Sequence, residues 1–255
     1  MELQTAPGVA LLSRRSLVLA AALAPVMRSL GASEVQEEPR VVDPPGPMSS
    51  ELRERLLVAK EALEAKTSTT SDLLADPVWS ELRPYTEFRE LIRDHATASK
   101  TFIAPRGEPG ERLIVAGRVL DQKDAPREKV LVYAYHTSAK GWYSDKAPHI
   151  GGNSGDTKHA RLFGYCRTDA EGRFELDTIR PAGYPRSDLP QHIHFALTGE
   201  DKSDDGGEIW FDDDPRLTAE QRAKSVQESC TIVTPRRGED KVWRCEAVLR
   251  LKRAK

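Results

Sequence analysis

The segment Gln191-His192-Ile193-His194 places two imidazoles two residues apart at the start of an alternating apolar run, residues 192–197. On a strand, period-two alternation aims both rings at one face, close enough to share one metal ion. The competing reading of such a pair is two hydrogen-bonded core histidines. Two tyrosines lie upstream, Tyr143 in Gly141-Trp142-Tyr143 and Tyr184 in Gly183-Tyr184-Pro185. A neutral phenol is a poor ligand, but a strongly acidic cation lowers its pKa enough to hold phenolate. Hard anionic oxygens favour Fe(III) over softer divalent ions. Two histidines and two tyrosines together therefore point to ferric iron, although Tyr143, side by side with Trp142, also fits a core aromatic. His136, His149 and His159 fall in loops or at a strand end and read as solvated or hydrogen-bonded. Tyr133 and Tyr135 share one strand face and read as packing.

Those side chains need a rigid frame, and the pattern from residue 101 onward supplies one. Residues 113–120, 129–135, 173–176 and 192–197 read as strands, and residues 230–251 as a hairpin of two more. Short strands divided by Gly, Pro and Asp turns indicate an all-β fold, an antiparallel β-sandwich catalytic core over residues 101–255. A short helical N-terminal segment, residues 49–100, precedes it. There Leu52, Leu56, Ala59 and Leu63 recur at helical spacing behind Ser49 or Ser50 as N-cap, and Pro84 interrupts a second helical stretch. Residues 198–215, with Asp204-Asp205 and Asp212-Asp213-Asp214, read as a solvated acidic loop whose carboxylate spacing does not match a calcium loop.

Upstream, residues 33–48 form a proline-stiffened linker. Residues 1–32 carry Arg14-Arg15 ahead of an apolar run interrupted by Pro25. That run is too short for a bilayer span and fits a twin-arginine-like export signal, with an ordinary secretory signal or an uncleaved anchor as alternatives. The expected location is periplasmic or extracellular. In the hairpin, pairing Thr234 with Lys241 sets Cys230 opposite Cys245, as a disulfide or as two inert thiols, and leaves Cys166 as a small buried hydrophobe. The 255 residues carry 38 Lys+Arg against 40 Asp+Glu, a net charge of −2. That balance lacks the basic excess of a nucleic-acid binder.

Longer motifs join these features: Gly117-Arg118-Val119, Gly164-Tyr165-Cys166-Arg167-Thr168-Asp169, Asp177-Thr178-Ile179-Arg180-Pro181, Tyr184-Pro185, Pro190-Gln191-His192-Ile193-His194-Phe195, and Ile209-Trp210-Phe211 with Asp214-Pro215. In this order, residues 113–215 resemble the catalytic domain of intradiol ring-cleavage dioxygenases, the catechol and protocatechuate dioxygenase family. The resemblance implies that Tyr143, Tyr184, His192 and His194 are Fe(III) ligands. It further implies an aromatic diol and O2 as substrates, cleavage between the two hydroxylated carbons, and Tyr184 as the displaceable ligand that acts as base. It also implies that residues 49–97 form a homodimer contact.

Two positions depart from the family pattern. Leu189 stands where the catechol and protocatechuate enzymes carry an Arg, and Glu208 where they carry a Gln. Arg186 or Arg180 could act in place of the missing Arg from another direction, and Arg186 and Glu208 are the substrate-binding candidates. Two rival readings follow: a non-catalytic transthyretin-like or carboxypeptidase-regulatory-like binding module, and an iron protein of this fold with an altered reaction. The Tyr184, His192 and His194 set discriminates against the binding module.

Overall fold

Alternation of apolar and polar residues builds two five-stranded sheets in the computed structural model, which describes residues 45–145, 160–201, 204–225 and 229–251. The expected export signal, most of the linker, and His149 and His159 lie outside the described residues. The strands are β1 (Lys100–Phe102), β2 (Arg112–Leu120), β3 (Leu131–His136), β4 (Leu162–Arg167) and β5 (Arg173–Ile179), followed by β6 (His192–Thr198), β7 (Asp204–Phe211), β8 (Cys230–Val233), β9 (Arg236–Arg237) and β10 (Trp243–Arg250). One sheet runs β1-β5-β2-β10-β9 and the other β4-β3-β6-β7-β8. Their facing sides interdigitate into one core. Val115, Leu176 and Leu249 meet Val132, Ile193, Leu197 and Phe211, all buried.

Strict antiparallel pairing, expected from the short strands, is corrected: both sheets are mixed. β1–β5, β2–β10 and β7–β8 pair in parallel. Parallel neighbours need a long crossover. The stretch between Phe211 and Cys230, with helix α4 (Ala219–Lys224), provides one. Part of the expected acidic loop is strand as well, since residues 204–211 form β7. Its Ile209 and Phe211 reach the core, and that burial outweighs the low strand propensity of Asp and Gly.

The expected 230–251 hairpin is also corrected. Its turn exists, with Gly238 N–H donating to Val242 O at 2.9 Å, but the antiparallel partners of Trp243 and Arg244 are Arg237 and Arg236 in β9. Pro235, which has no N–H to give a ladder, separates β9 from β8, and β8 joins the other sheet. Cys245 therefore faces the core between the sheets. Cys230 packs with Trp210 and Leu217 in a separate cluster, so the two thiols do not pair with each other. Cys166 is free and fully buried, and burial pushes its thiol pKa up.

The helical segment comprises α1 (Ser50–Glu64), α2 (Thr70–Ala75), a 3-10 turn (Pro77–Leu82) and α3 (Thr86–His95). Ser49 Oγ caps α1 by accepting from Leu52 N–H at 3.2 Å, and Thr69 with Asp72 forms a capping box on α2. These elements cover the outer face of the second sheet. Leu63, Leu74, Leu82, Phe88 and Ile92 cluster with Tyr135, Tyr143 and Phe163. Arg83, fully buried, anchors them. Its guanidinium donates to Leu74 O, to Ile103 O at 2.9 Å and to Arg161 O at 3.1 Å. Burial, with Arg161 and Arg89 nearby, pushes its pKa down to about 9. Among the described residues, no helix is long and apolar enough to cross a membrane.

Candidate metal centre and the pocket beside it

Strand β6 turns Ile193, Phe195 and Leu197 into the core and leaves His192 and His194 on the opposite face, as the period-two reading requires. The neighbouring strands treat their residues alike. In β3, Val132 and Ala134 go inward while Tyr133 and Tyr135 join the outer cluster; in β7, Ile209 and Phe211 go inward while Trp210 does not. The start of β6 is held by buried Asp214, which accepts from Gln191 N–H at 2.5 Å and from Arg216 N–H at 2.9 Å.

Two loops deliver the tyrosines. Ser138 N–H donates to Trp142 O at 2.8 Å and Gly141 N–H to Ser138 O at 2.9 Å, closing a tight loop ahead of Tyr143. Ala182 N–H donates to Ser138 O at 3.2 Å and Thr137 Oγ1 to Ala182 O at 2.6 Å, which ties the Tyr184 loop to the first. Gly141, at φ +77°, allows that approach, because a Cβ there would stand 2.3 Å from Gly183 O.

The four side chains meet at one point. Tyr143 Oη lies 2.8 Å from His194 Nε2 and in contact with Tyr184 Oη. Tyr184 Oη lies 3.0 Å from His192 Nε2 and 3.2 Å from His194 Nε2, and the two Nε2 atoms are 3.1 Å apart. Tyr143 and His192 are buried, while Tyr184 is half-buried.

Proton counting shows what this cluster suits. His192 Nδ1 is 2.7 Å from Pro190 O, a pure acceptor, so Nδ1 carries the proton and Nε2 presents a lone pair. His194 Nδ1 faces Glu208 Oε1 at 3.4 Å, which selects the same tautomer. Burial, and then proximity to His192 and His136, pushes the His194 pKa down to about 3, so this imidazole is neutral at pH 7. Two lone pairs thus face each other with only two phenolic protons available for the five contacts among the four atoms. A cation at the centre satisfies all four donors at once. Metal–ligand bonds of ~2.0–2.1 Å also set neighbouring donors roughly 3 Å apart, as found here. The residues fit a metal ion with mixed imidazole and phenolate ligation.

His192, His194 and Glu208 can also be grouped as a metal-binding set. Glu208, however, turns Oε1 toward Nδ1 of His194 and accepts from Trp210 Nε1 on Oε2 at 2.6 Å, so it braces the His194 ring on its Nδ1 side. Tyr135, which the sequence suggested only as packing, stacks on His194 with centroids 4.6 Å apart and planes 13° from parallel. Tyr133 stacks on Tyr135 at 5.3 Å, and its hydroxyl accepts from Arg89 Nη2 of α3 at 2.6 Å. The sequence signal for Tyr135 was its shared parity with Tyr133; only the pairing of β3 with β6 sets it opposite His194. His136 is fully buried and bridges Thr137 O and Thr178 Oγ1, each at 2.6 Å.

A cavity of about 500 Å³ opens beside His194, lined by Tyr133, Tyr135, Leu189, Glu208 and Trp210 among others. Leu189 lies at its edge, 47% exposed. Neither arginine considered as a replacement lines it. Arg180 is held by Asp213 at 2.8 and 2.5 Å and by Gln191 Oε1 at 3.0 Å, while Arg186 is exposed at φ +56°.

A β-sandwich carrying two histidines on one outer sheet face, with two loop tyrosines against them, presents a candidate metal centre. A family model described as Dioxygenase matches residues 87–249, more than half of the chain, and the chain belongs to the intradiol ring-cleavage dioxygenase family. The protocatechuate 3,4-dioxygenase beta chain of Burkholderia cepacia is 40% identical over 106 residues, covering 37% of this chain and 42% of that protein. Catechol 1,2-dioxygenase 1 of Acinetobacter lwoffii is 24% identical over 160 residues, covering 56% of this chain and 50% of that protein. The matches thus span half or less of these relatives. Among solved structures, catechol 1,2-dioxygenase from Acinetobacter sp. ADP1 aligns at 17% identity and a TM-score of 0.49, covering 82% of this chain and 80% of that one. Membership of this family does not favour the binding-module alternative, and intradiol dioxygenases use non-haem iron.

Proposed function

We propose that the chain cleaves a catechol-type diol between its two hydroxylated carbons with O2, with Tyr143, Tyr184, His192 and His194 as ligands of Fe(III). The observation that carries this reading is the convergence of Tyr143 Oη, Tyr184 Oη, His192 Nε2 and His194 Nε2 within contact distance, in a chain of this family. Phenolate ligands favour the ferric ion over softer divalent ions. Bound there, the iron would supply a Lewis acid that gathers the two diol oxygens and activates the ring toward O2.

The protein's own groups do the rest. Pro190 O and Glu208 fix the tautomers of His192 and His194, so both lone pairs stay aimed at the centre. The diol must lose two protons to bind through both oxygens. Tyr184 Oη, on the less buried of the two tyrosines, accepts one as phenolate and swings away; solvent takes the other. Tyr143 and His192, both buried, hold their places. The balanced reaction adds both atoms of O2 to the diol and opens the ring to a dicarboxylic acid.

Supplying catechol with isotope-labelled O2 tests this. Two labelled atoms in an unsaturated dicarboxylic acid support it; an extradiol aldehyde product, or no product from iron-loaded protein, contradicts it. We also read residues 1–32 as a twin-arginine-like export signal, on the strength of Arg14-Arg15 before an apolar run. Fusion of that segment to a reporter, with Arg14-Arg15 changed to Lys-Lys, tests the reading by loss of export.

A further inference from the structure

The cavity beside His194 carries an unusual charge pattern. Among the described residues, its lining includes Tyr133, Tyr135 and Trp210 and one formal charge, the Glu208 carboxylate. Among the described residues, no lysine or arginine lines it. Glu208 is not turned away from the space, since its side chain keeps 30% of its surface accessible while bracing His194. The edge position that could have brought a cation is Leu189. Arg180, the nearby alternative, is committed to Asp213 and Gln191.

A diol held at the four-donor cluster would place its ring substituents beside His194, where this cavity opens. An anionic substituent there meets a fixed carboxylate, with no lysine or arginine among the described lining residues. An ammonium group meets that carboxylate and is attracted by it. We propose that Glu208 is a specificity determinant and that this pocket selects catechols bearing a protonated amine on the ring side chain, and rejects those bearing a carboxylate. The proposal rests on the diol-binding reading above and names the substrate class for that same site.

The test compares two diols of similar length, one with an aminoethyl and one with a carboxymethyl substituent at the same ring carbon. Each is titrated anaerobically into the iron-loaded protein, so that binding is read from the visible absorption band without turnover. A unit charge at ~6 Å from a partly exposed carboxylate changes affinity on the order of tenfold. The ammonium diol should therefore bind about 100-fold more tightly than the carboxylate diol. Raising the ionic strength to about 1 M should shrink the ratio. Glu208→Gln should bring the ratio to within a few-fold. Leu189→Lys, at an exposed position that does not brace His194, should tilt it toward the carboxylate diol. Reading the ratio removes any general effect of Glu208→Gln on the metal ligands. Equal affinities for the two diols, or a ratio unmoved by both substitutions, overturn this proposal alone. A protein that binds neither diol overturns it together with the reading on which it rests.

Discussion

Gly141 packs against the carbonyl of Gly183 so closely that a methyl group on its Cα would stand 2.3 Å from that oxygen. The contact locks the loop carrying Tyr143 onto the loop carrying Tyr184, and neither loop belongs to a strand. Convergence of two phenols from different loops thus depends on one residue that has no side chain and adopts φ +77°. Gly141→Ala should leave the far-UV circular dichroism unchanged and lower iron affinity at least tenfold, because the tyrosines can no longer approach together. Unchanged iron affinity would show that the loops adjust without cost to the site.

The helical segment is joined to the sandwich through a buried cation. Replacing Arg83 by Met keeps much of its volume but leaves Leu74 O, Ile103 O and Arg161 O without their donor. Each unmet buried carbonyl costs ~1–3 kcal/mol, offset in part by relief of a buried charge, so a net loss of about 2–4 kcal/mol is expected in urea unfolding. Amide exchange in α1 to α3 should accelerate before that of β6. A change below about 0.5 kcal/mol would mean that these carbonyls find other donors.

Acid should weaken the metal-free protein through its buried histidines. Burial lowers the His136 pKa to about 4, against an ordinary 6.5, with His194 lowered further to about 3. Between pH 6.5 and 4 the unfolded chain binds a proton at His136 that the native chain does not, so stability falls as pH falls and levels off for this group below about 4. The His136 contribution is about 3 kcal/mol. Urea unfolding at pH 7 and pH 4.5 measures the fall, and the ring resonances of His136 should stay unshifted down to about pH 5. A His136 titrating near 6.5 would contradict the account.

How far the sequence carried the fold depended on whether one face of an element sufficed to specify it. The spacing of Leu52, Leu56, Ala59 and Leu63 described α1, with its cap narrowed to Ser49 or Ser50, and the parity of His192 and His194 described β6. The first half of strand β7 was hidden because Asp204, Asp205, Gly206 and Gly207 read as loop. Its pairing with β6, and the core positions of Ile209 and Phe211, are decided by contacts distant in sequence. The Cys230–Cys245 pairing failed for a related reason: Pro235 sends the chain from one sheet to the other, and local pairing rules do not see a crossover. At the site, the family resemblance singled out Tyr143, Tyr184, His192 and His194, but the stacking of Tyr135 on His194 and the brace from Glu208 arise from strand registers that no spacing encodes.

The most direct test of the central claim is iron content and visible absorption of the aerobically purified protein, before and after catechol, for the wild type and for Tyr143→Phe. Tyrosinate bound to Fe(III) gives a charge-transfer colour that histidine and carboxylate ligands alone do not produce. The account predicts near-stoichiometric iron, a band that shifts when catechol is added, and loss or displacement of that band in Tyr143→Phe. A colourless protein that takes up no ferric iron, or a band indifferent to both tyrosine substitution and catechol, would contradict it.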